Sequence, residues 1–264
     1  MTLRIAMWSG PRNISTAMMR SWSSRADTRV SDEPFYAHYL SQIAPDKRAT
    51  HPAADEVMAS MPTNWRDVVG EITGPCEKPV WYQKHMAHHL TPAMDPEPSG
   101  CRGDGGAFST SEPSGWAWIA GLANVFLIRE PAAMITSFIK VIENPTPVDL
   151  GLPQQVRLFD FIERETGSPP PVLDACDVLA DPRRALTALC DHLGLPFDAA
   201  MLAWSAGPHP ADGVWAPHWY SGVYASTGFA PYRPKDEPVP DRLAGVLAEC
   251  QGLYDRLAAH RMLA

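Results

Sequence analysis

No two cysteines in this sequence have the C-x-x-C spacing of a redox or zinc pair, and the five present (Cys76, Cys101, Cys176, Cys190 and Cys250) are odd in number. They read as reduced thiols in a reducing compartment rather than as a disulfide framework. Positive charge is also short. With 22 Lys and Arg against 30 Asp and Glu, the formal net charge is −8, which argues against a general nucleic-acid binder but not against one local anion pocket. Long apolar runs are missing: none approaches the ~20 residues of a membrane helix. The N-terminus enters a short strand directly, without the basic segment and long apolar core of a signal peptide. The expectation is a cytoplasmic protein with neither a membrane nor a nucleic-acid partner. What is present, 264 residues at 45% hydrophobic and 20% charged, suits a globular chain large enough to fold without staples. No internal repeat or domain boundary stands out, so residues 1–264 are read as one domain.

Leu3 to Trp8 is a short apolar run that stops at Ser9-Gly10-Pro11, a strand followed by a turn. Ile14, Ala17, Met18 and Trp22 have helical spacing and predict a helix over 14–24. Short strands are expected at 28–31, 80–83, 124–128 and 172–173. Helices are expected at 35–43, 53–60, from Pro131 to about Val141, at 153–165, and from Asp181 as N-cap to Gly194 as C-cap. A last helix is expected over 241–259. Residues 92–115, rich in Gly, Pro and Ser, read as a flexible insertion, and residues 207–235 as one long ordered loop. Strands alternating with helices imply an α/β fold with a central parallel sheet flanked by helices on both faces.

The segment Ser9-Gly10-Pro11-Arg12-Asn13-Ile14-Ser15-Thr16 joins a strand to a helix. Such a loop aims several backbone N–H groups at one spot, and the helix N-terminus adds partial positive charge. Arg12 adds a full charge, and the hydroxyls of Ser15 and Thr16 can donate to the same anion. This is the equipment a 5′-phosphate requires; the plainer alternative is a strand-to-helix turn with local Ser and Thr caps. The loop lacks the Gly-x-x-x-x-Gly-Lys-Ser/Thr pattern of a Walker A site, and with it the lysine and the magnesium-binding hydroxyl. A second segment, Asn124 to Phe138 (NVFLIREPAAMITSF), ends a central strand in Arg129, starts a helix at Pro131 and carries Ser137 two turns in. Arg129 then belongs to the carboxyl end of the sheet, where open α/β folds bind ligands.

Taken together and in this order, SGPRNISTAMMRSW and FLIREPAAMITSF resemble the two nucleotide-binding motifs of the sulfotransferases that use 3′-phosphoadenosine 5′-phosphosulfate (PAPS). Leu179 to Trp204, an Asp-Pro-led helix before a Leu-Gly-Leu-Pro turn, is similar to a later segment of the same family. The resemblance is nearest to bacterial and plant members with a Gly-Pro-Arg loop. It implies a P-loop-like three-layer fold, PAPS as co-substrate with no metal, and transfer of the sulfuryl group to a hydroxyl or amine of a small-molecule acceptor. Carried over by position, it places Arg12, Asn13, Ser15 and Thr16 on the 5′-phosphosulfate, with Arg12 on the leaving phosphate oxygen, and Arg129 with Ser137 on the 3′-phosphate. The chain departs from the family at Asn13-Ile14, where Ser-Gly or Thr-Gly is usual. It also lacks a clear Arg-Lys-Gly segment, although Arg233 and Lys235 lie in that region. A P-loop phosphotransferase and a non-catalytic nucleotide-binding protein of the same fold are the competing readings.

Sulfuryl transfer to a hydroxyl needs a base, and two candidates arise. Glu33, in Asp-Glu-Pro-Phe-Tyr, resembles the Glu-Pro region of trehalose-type bacterial sulfotransferases. His85, in Lys84-His85-Met86, resembles the Lys-x-His segment of the cytosolic enzymes with a shifted spacing. His85, His88 and His89 share a helical spacing that also suits metal ligands, although helix-surface or pocket histidines are the simpler reading. Trp204, Trp215, Trp219, Tyr220, Tyr224 and Phe229 form an aromatic region read either as a satellite core or as a lid over the acceptor pocket.

Overall fold

The computed structural model describes residues 2–94, 115–234 and 237–263. Its five-stranded sheet is parallel throughout, in the order β2-β3-β1-β4-β5, with β1 at Leu3–Ser9, β2 at Thr28–Asp32, β3 at Val80–Met86, β4 at Ala123–Ile128 and β5 at Val172–Asp174. Alternation along β1 shows why both faces must be covered. Ile5 and Met7 pack with Met18, Met19 and Trp22 of the first helix, α1 (Ser15–Ser23), and with Leu186 and Leu189 of the helix Pro182–His192. Ala6 and Trp8 point the other way, into a cluster with Phe126, Phe159 and Ile162 that the helices Leu152–Thr166 and Ala244–Ala258 cover. The result is the expected three-layer α/β architecture with helices on both faces.

Strand order positions the site. The chain leaves β1 for β2 on one side, returns through β3, and then crosses to β4 on the other side. The carboxyl ends of β1, β2, β3 and β4 therefore converge near the point where the winding direction reverses, the usual ligand crevice of open α/β sheets.

Several elements differ from expectation. β3 runs to Met86 rather than stopping at Gln83, with all seven residues buried. Lys84 and His85 look like a strand end only while their buried partners are unseen. The helix Trp65–Thr73 is additional; the Asn64 side chain caps it at the Arg66 N–H, and only Val68 and Ile72 are buried, too few to register as an apolar stripe. Residues 207–235 contain two single-turn helices, Ala216–Trp219 and Ser221–Tyr224. The final helix is a 3-10 turn, Asp241–Leu243, followed by Ala244–Ala258. Most of the expected insertion at 92–115 lies outside the described residues. Among the described residues the four cysteines are free thiols, and no helix is long and apolar enough to cross a membrane.

Candidate active site

A cavity of about 390 Å³ opens at the carboxyl edge of the sheet, lined by residues that follow β1, β2 and β4 and by the end of β3. Its floor is the loop after β1. Gly10 is required there by close approach: a Cβ at this position would lie 2.3 Å from the Leu150 carbonyl oxygen. Asn13 Nδ2 donates to the Leu127 carbonyl at 2.7 Å, pinning the loop to the end of β4. Arg12 sits at φ 56°, a left-handed conformation costly for a residue with a Cβ. No side chain caps α1, because Ile14 occupies the capping position, and Ser15, Thr16 and Ala17 of the first turn line the cavity. A loop held by glycine and asparagine thus presents an uncapped helix N-terminus, whose partial positive charge suits an anion.

The two arginines meet over this floor. Arg129, at the end of β4, donates from Nη1 to the Arg12 carbonyl at 2.7 Å, and Arg12 donates from Nε to Ser137 Oγ at 3.0 Å. Ser137 is delivered by the helix Pro131–Phe138, which Glu130 caps at the Ala133 N–H. Burial lowers the pKa of both guanidiniums, and for Arg129 the charge of Arg12 adds to the effect. Among the described residues neither forms a salt bridge. Two half-buried cations without a carboxylate are costly by themselves and become favourable once an anion arrives. Arg12, Asn13, Ser15, Thr16, Arg129 and Ser137 are all brought to the one cavity.

A buried ionic cluster borders the same cavity. Lys84, fully enclosed on β3, donates to Asp32 Oδ1 at 2.9 Å, to Glu33 Oε1 at 2.7 Å and to the Tyr220 hydroxyl at 2.5 Å. Trp215 Nε1 also donates to the Tyr220 oxygen, at 3.0 Å. That oxygen accepts two hydrogen bonds and has one proton to give. Asp32, at 2.8 Å, receives it rather than Glu33, at 3.4 Å. Asp32 also accepts from the Gly213 N–H at 3.3 Å. Lys84 therefore spends all three protons inside the cluster and Asp32 is well supplied. Glu33 receives one short bond, on Oε1, and borders the cavity. Its φ of 43° is the second strained backbone among the expected site residues. Burial, and next the charge of Asp32, push the Glu33 pKa above the usual carboxylate value, while Lys84 opposes them.

His85 is not brought to the cavity. Strand parity is the reason: Lys84 and Met86 share one face of β3, and His85 points to the other. There it stacks on its register partner Trp8, with ring centroids 4.4 Å apart, and its Nε2 pairs with Gln83 Oε1 at 3.2 Å. Burial lowers its pKa to about 3. His85, one of the two candidate bases, therefore lies outside this cavity. His88 and His89 do line the cavity, as a buried 3-10 turn rather than a helix face. Among the described residues no group of three or more His, Cys, Asp or Glu side chains is arranged to hold a metal ion. Of the late aromatics, Trp215, Trp219 and Tyr220 line the cavity. Trp204 and Phe229 pack on each other instead. Arg233 is exposed and away from the cavity, and Lys235 lies outside the described residues.

The sequence reading missed Lys84 and Asp32 as members of the site, and held Tyr220 only as part of an aromatic core or lid. A signal existed: a lysine inside a run of buried strand residues requires carboxylate partners, and Asp32-Glu33 at the end of the neighbouring strand supplies them.

Comparison with known proteins bears on this geometry. The family model described as "Sulfotransferase domain" matches residues 3–100 and 108–259. The chain is 36% identical over 257 residues to "Branched-chain-amino-acid aminotransferase-like protein 1" of Arabidopsis thaliana and 34% identical over 258 residues to protein 2 of the same name. Each alignment covers 97% of this chain but only 42% and 41% of those plant proteins, so the chain spans less than half the length of these curated relatives. Among solved structures, the "Sulfotransferase Domain from the Synechococcus PCC 7002 Olefin Synthase" superposes with a TM-score of 0.54 at 16% identity, covering 97% of this chain and 95% of that one. That likeness is one of fold.

Proposed function

The chain belongs to the sulfotransferase-domain family, and from that premise we propose that it moves a sulfuryl group from PAPS to a hydroxyl or amine of a small acceptor. The observation that carries the reading is the pair of arginines, Arg12 and Arg129, which line one cavity with an uncapped helix N-terminus and, among the described residues, form no salt bridge. In this reading Arg129 and Ser137 hold the 3′-phosphate, and the loop amides with Asn13, Ser15 and Thr16 hold the 5′-phosphosulfate. Glu33 takes the acceptor proton on its less engaged oxygen as the new S–O bond forms. Arg12 and the first turn of α1 stabilise the charge left on the phosphate oxygen as the old S–O bond breaks. Lys84, with no proton to spare, positions Glu33 rather than touching the donor. No metal enters the scheme.

The test is ligand-induced stabilisation. Adenosine 3′,5′-bisphosphate should raise the melting temperature more than ADP at matched concentration. A ligand at 100 times its dissociation constant that binds only the folded state adds ~2.7 kcal/mol. Equal shifts from the two nucleotides would remove the basis for a 3′-phosphate site. The variant Arg129→Ala should abolish the discrimination between them, by weakening the bisphosphate at least about tenfold while leaving ADP nearly unchanged. Titration calorimetry of both ligands on both proteins reads this directly, and a persistent preference in the variant would place the 3′-phosphate elsewhere.

A further inference from the structure

The half of the cavity away from the arginines has a distinct chemistry. The charged side chains that line the whole cavity, among the described residues, are Arg12, Arg129, Lys84 and Glu33. Arg12 and Arg129 belong to the phosphate end. Lys84 has its three N–H bonds committed to Asp32, Glu33 and Tyr220. What remains around Glu33 is polar but neutral. His89 stacks face to face on Tyr36, with centroids 4.9 Å apart and planes 3° from parallel, and Trp215 sets its edge on Tyr36 at 5.1 Å. His51 Nδ1 pairs with the Tyr36 hydroxyl at 3.0 Å. The Nδ1 atoms of His88 and His89 are buried and, among the described residues, have no hydrogen-bond partner. Burial holds His51 near pKa 4 and His88 near 3, and pushes His89 well below the ordinary imidazole value, so all three imidazoles are uncharged at neutral pH. The adjacent Lys47–Asp149 ion pair cancels its own charge.

We propose that this imidazole- and aromatic-lined half of the cavity binds an uncharged, ring-bearing alcohol or phenol as the sulfate acceptor, to the exclusion of amines and of acceptors carrying a carboxylate. The proposal rests on the sulfuryl-transfer reading above and narrows its substrate class. A carboxylate entering here would lose its hydration with no free cation to meet it. An aliphatic amine would arrive as an ammonium ion, whose pKa of ~10 leaves no lone pair for attack on sulfur and puts its proton beyond a carboxylate's reach. An uncharged hydroxyl meets neither obstacle. Its O–H proton passes to Glu33 as its oxygen bonds to sulfur, its ring lies among the lining aromatics Tyr36, Trp215 and Trp219, and further hydroxyls find neutral imidazoles as acceptors or donors.

Three probes separate charge from shape: 2-(4-hydroxyphenyl)ethanol, tyramine and 4-hydroxyphenylacetate share one phenol and differ in the charge at the far end. Binding to the protein saturated with adenosine 3′,5′-bisphosphate is read from quenching of tryptophan fluorescence, since Trp215 and Trp219 line the cavity. The neutral probe should bind at least about tenfold more tightly than either charged one. The variant His51→Arg should move the preference by about tenfold toward 4-hydroxyphenylacetate. Equal affinities, tighter binding of a charged probe, or no binding of the neutral probe while the bisphosphate binds would each overturn the proposal alone. Failure of the bisphosphate to bind would overturn the sulfuryl-transfer reading and the proposal with it.

Discussion

Glu33→Gln is expected to lower turnover by at least ~100-fold while leaving affinity for adenosine 3′,5′-bisphosphate unchanged, because a positioned base contributes ~100- to 10,000-fold and is needed only when the proton moves. Hydrogen-bond arithmetic selects this residue. Tyr220 has one proton and Asp32 takes it, while Lys84 meets Glu33 only on Oε1. A glutamine fits the same space and cannot accept the proton. The pH profile carries a second signature. Burial raises the pKa of Glu33, so the active, deprotonated form is lost on the acid side at a higher pH than for an ordinary carboxylate. The stability sign is the reverse of that of a normal salt-bridged acid. A carboxyl whose folded pKa is raised stabilises the fold when protonated, and that contribution is lost as pH rises through the folded value. Glu33→Gln should therefore keep or raise the melting temperature at neutral pH while activity collapses, the trade-off typical of a strained site. The control His85→Asn should leave the acid limb of the profile where it is, since that ring stacks on Trp8 outside the cavity. Near-normal turnover in Glu33→Gln would require the base to be sought elsewhere.

How far the site was legible depended on how local its signals were. The loop after β1 and the Arg129…Ser137 segment could be read because each lies within one strand-turn-helix unit, where a short stretch of sequence specifies its own geometry. The α/β architecture followed from alternating apolar runs for the same reason. Glu33 and His85 stood nearly level as candidate bases because their placement relative to the cavity turns on one bit of information, the parity of β3, and the sequence has no apolar-polar alternation there. A central strand covered on both faces erases the period-2 signal, so Lys84 and His85 looked equivalent until the register Trp8↔His85 and Asp32↔Lys84 was known. The bond that ties Tyr220 to Lys84 lay further out of reach. It spans 136 positions and comes from a segment that a buried two-pronged pair between Arg20 and Asp212, both bonds 2.7 Å long, also ties to the first helix. No local pattern encodes such a contact.

Lys84→Met carries the largest expected effect on stability. Lys84 is enclosed, with its side chain 1% exposed and that of Asp32 also 1%. Removing one partner of a buried ionic cluster leaves uncompensated charge, a loss of ~3–5 kcal/mol, although the intact cluster need not outperform an apolar replacement of the whole set. Two carboxylates then share a site with no cation, so at least one takes up a proton when the variant folds. Its folded pKa is raised, and the sign follows: the variant recovers stability as pH falls and loses it as pH rises through that raised value. Urea denaturation at pH 5 and pH 8 should show a larger deficit at the higher pH. The triple variant Lys84→Met, Asp32→Asn, Glu33→Gln removes the stranded charges and should recover most of the lost stability at pH 8 while remaining inactive. That recovery distinguishes charge from packing: a cavity left by the missing lysine stem would persist in the triple variant, whereas unpaired carboxylates would not. A deficit below about 1 kcal/mol in Lys84→Met, or one that does not change between the two pH values, would mean that Lys84 does not hold the carboxylates of β2 in place.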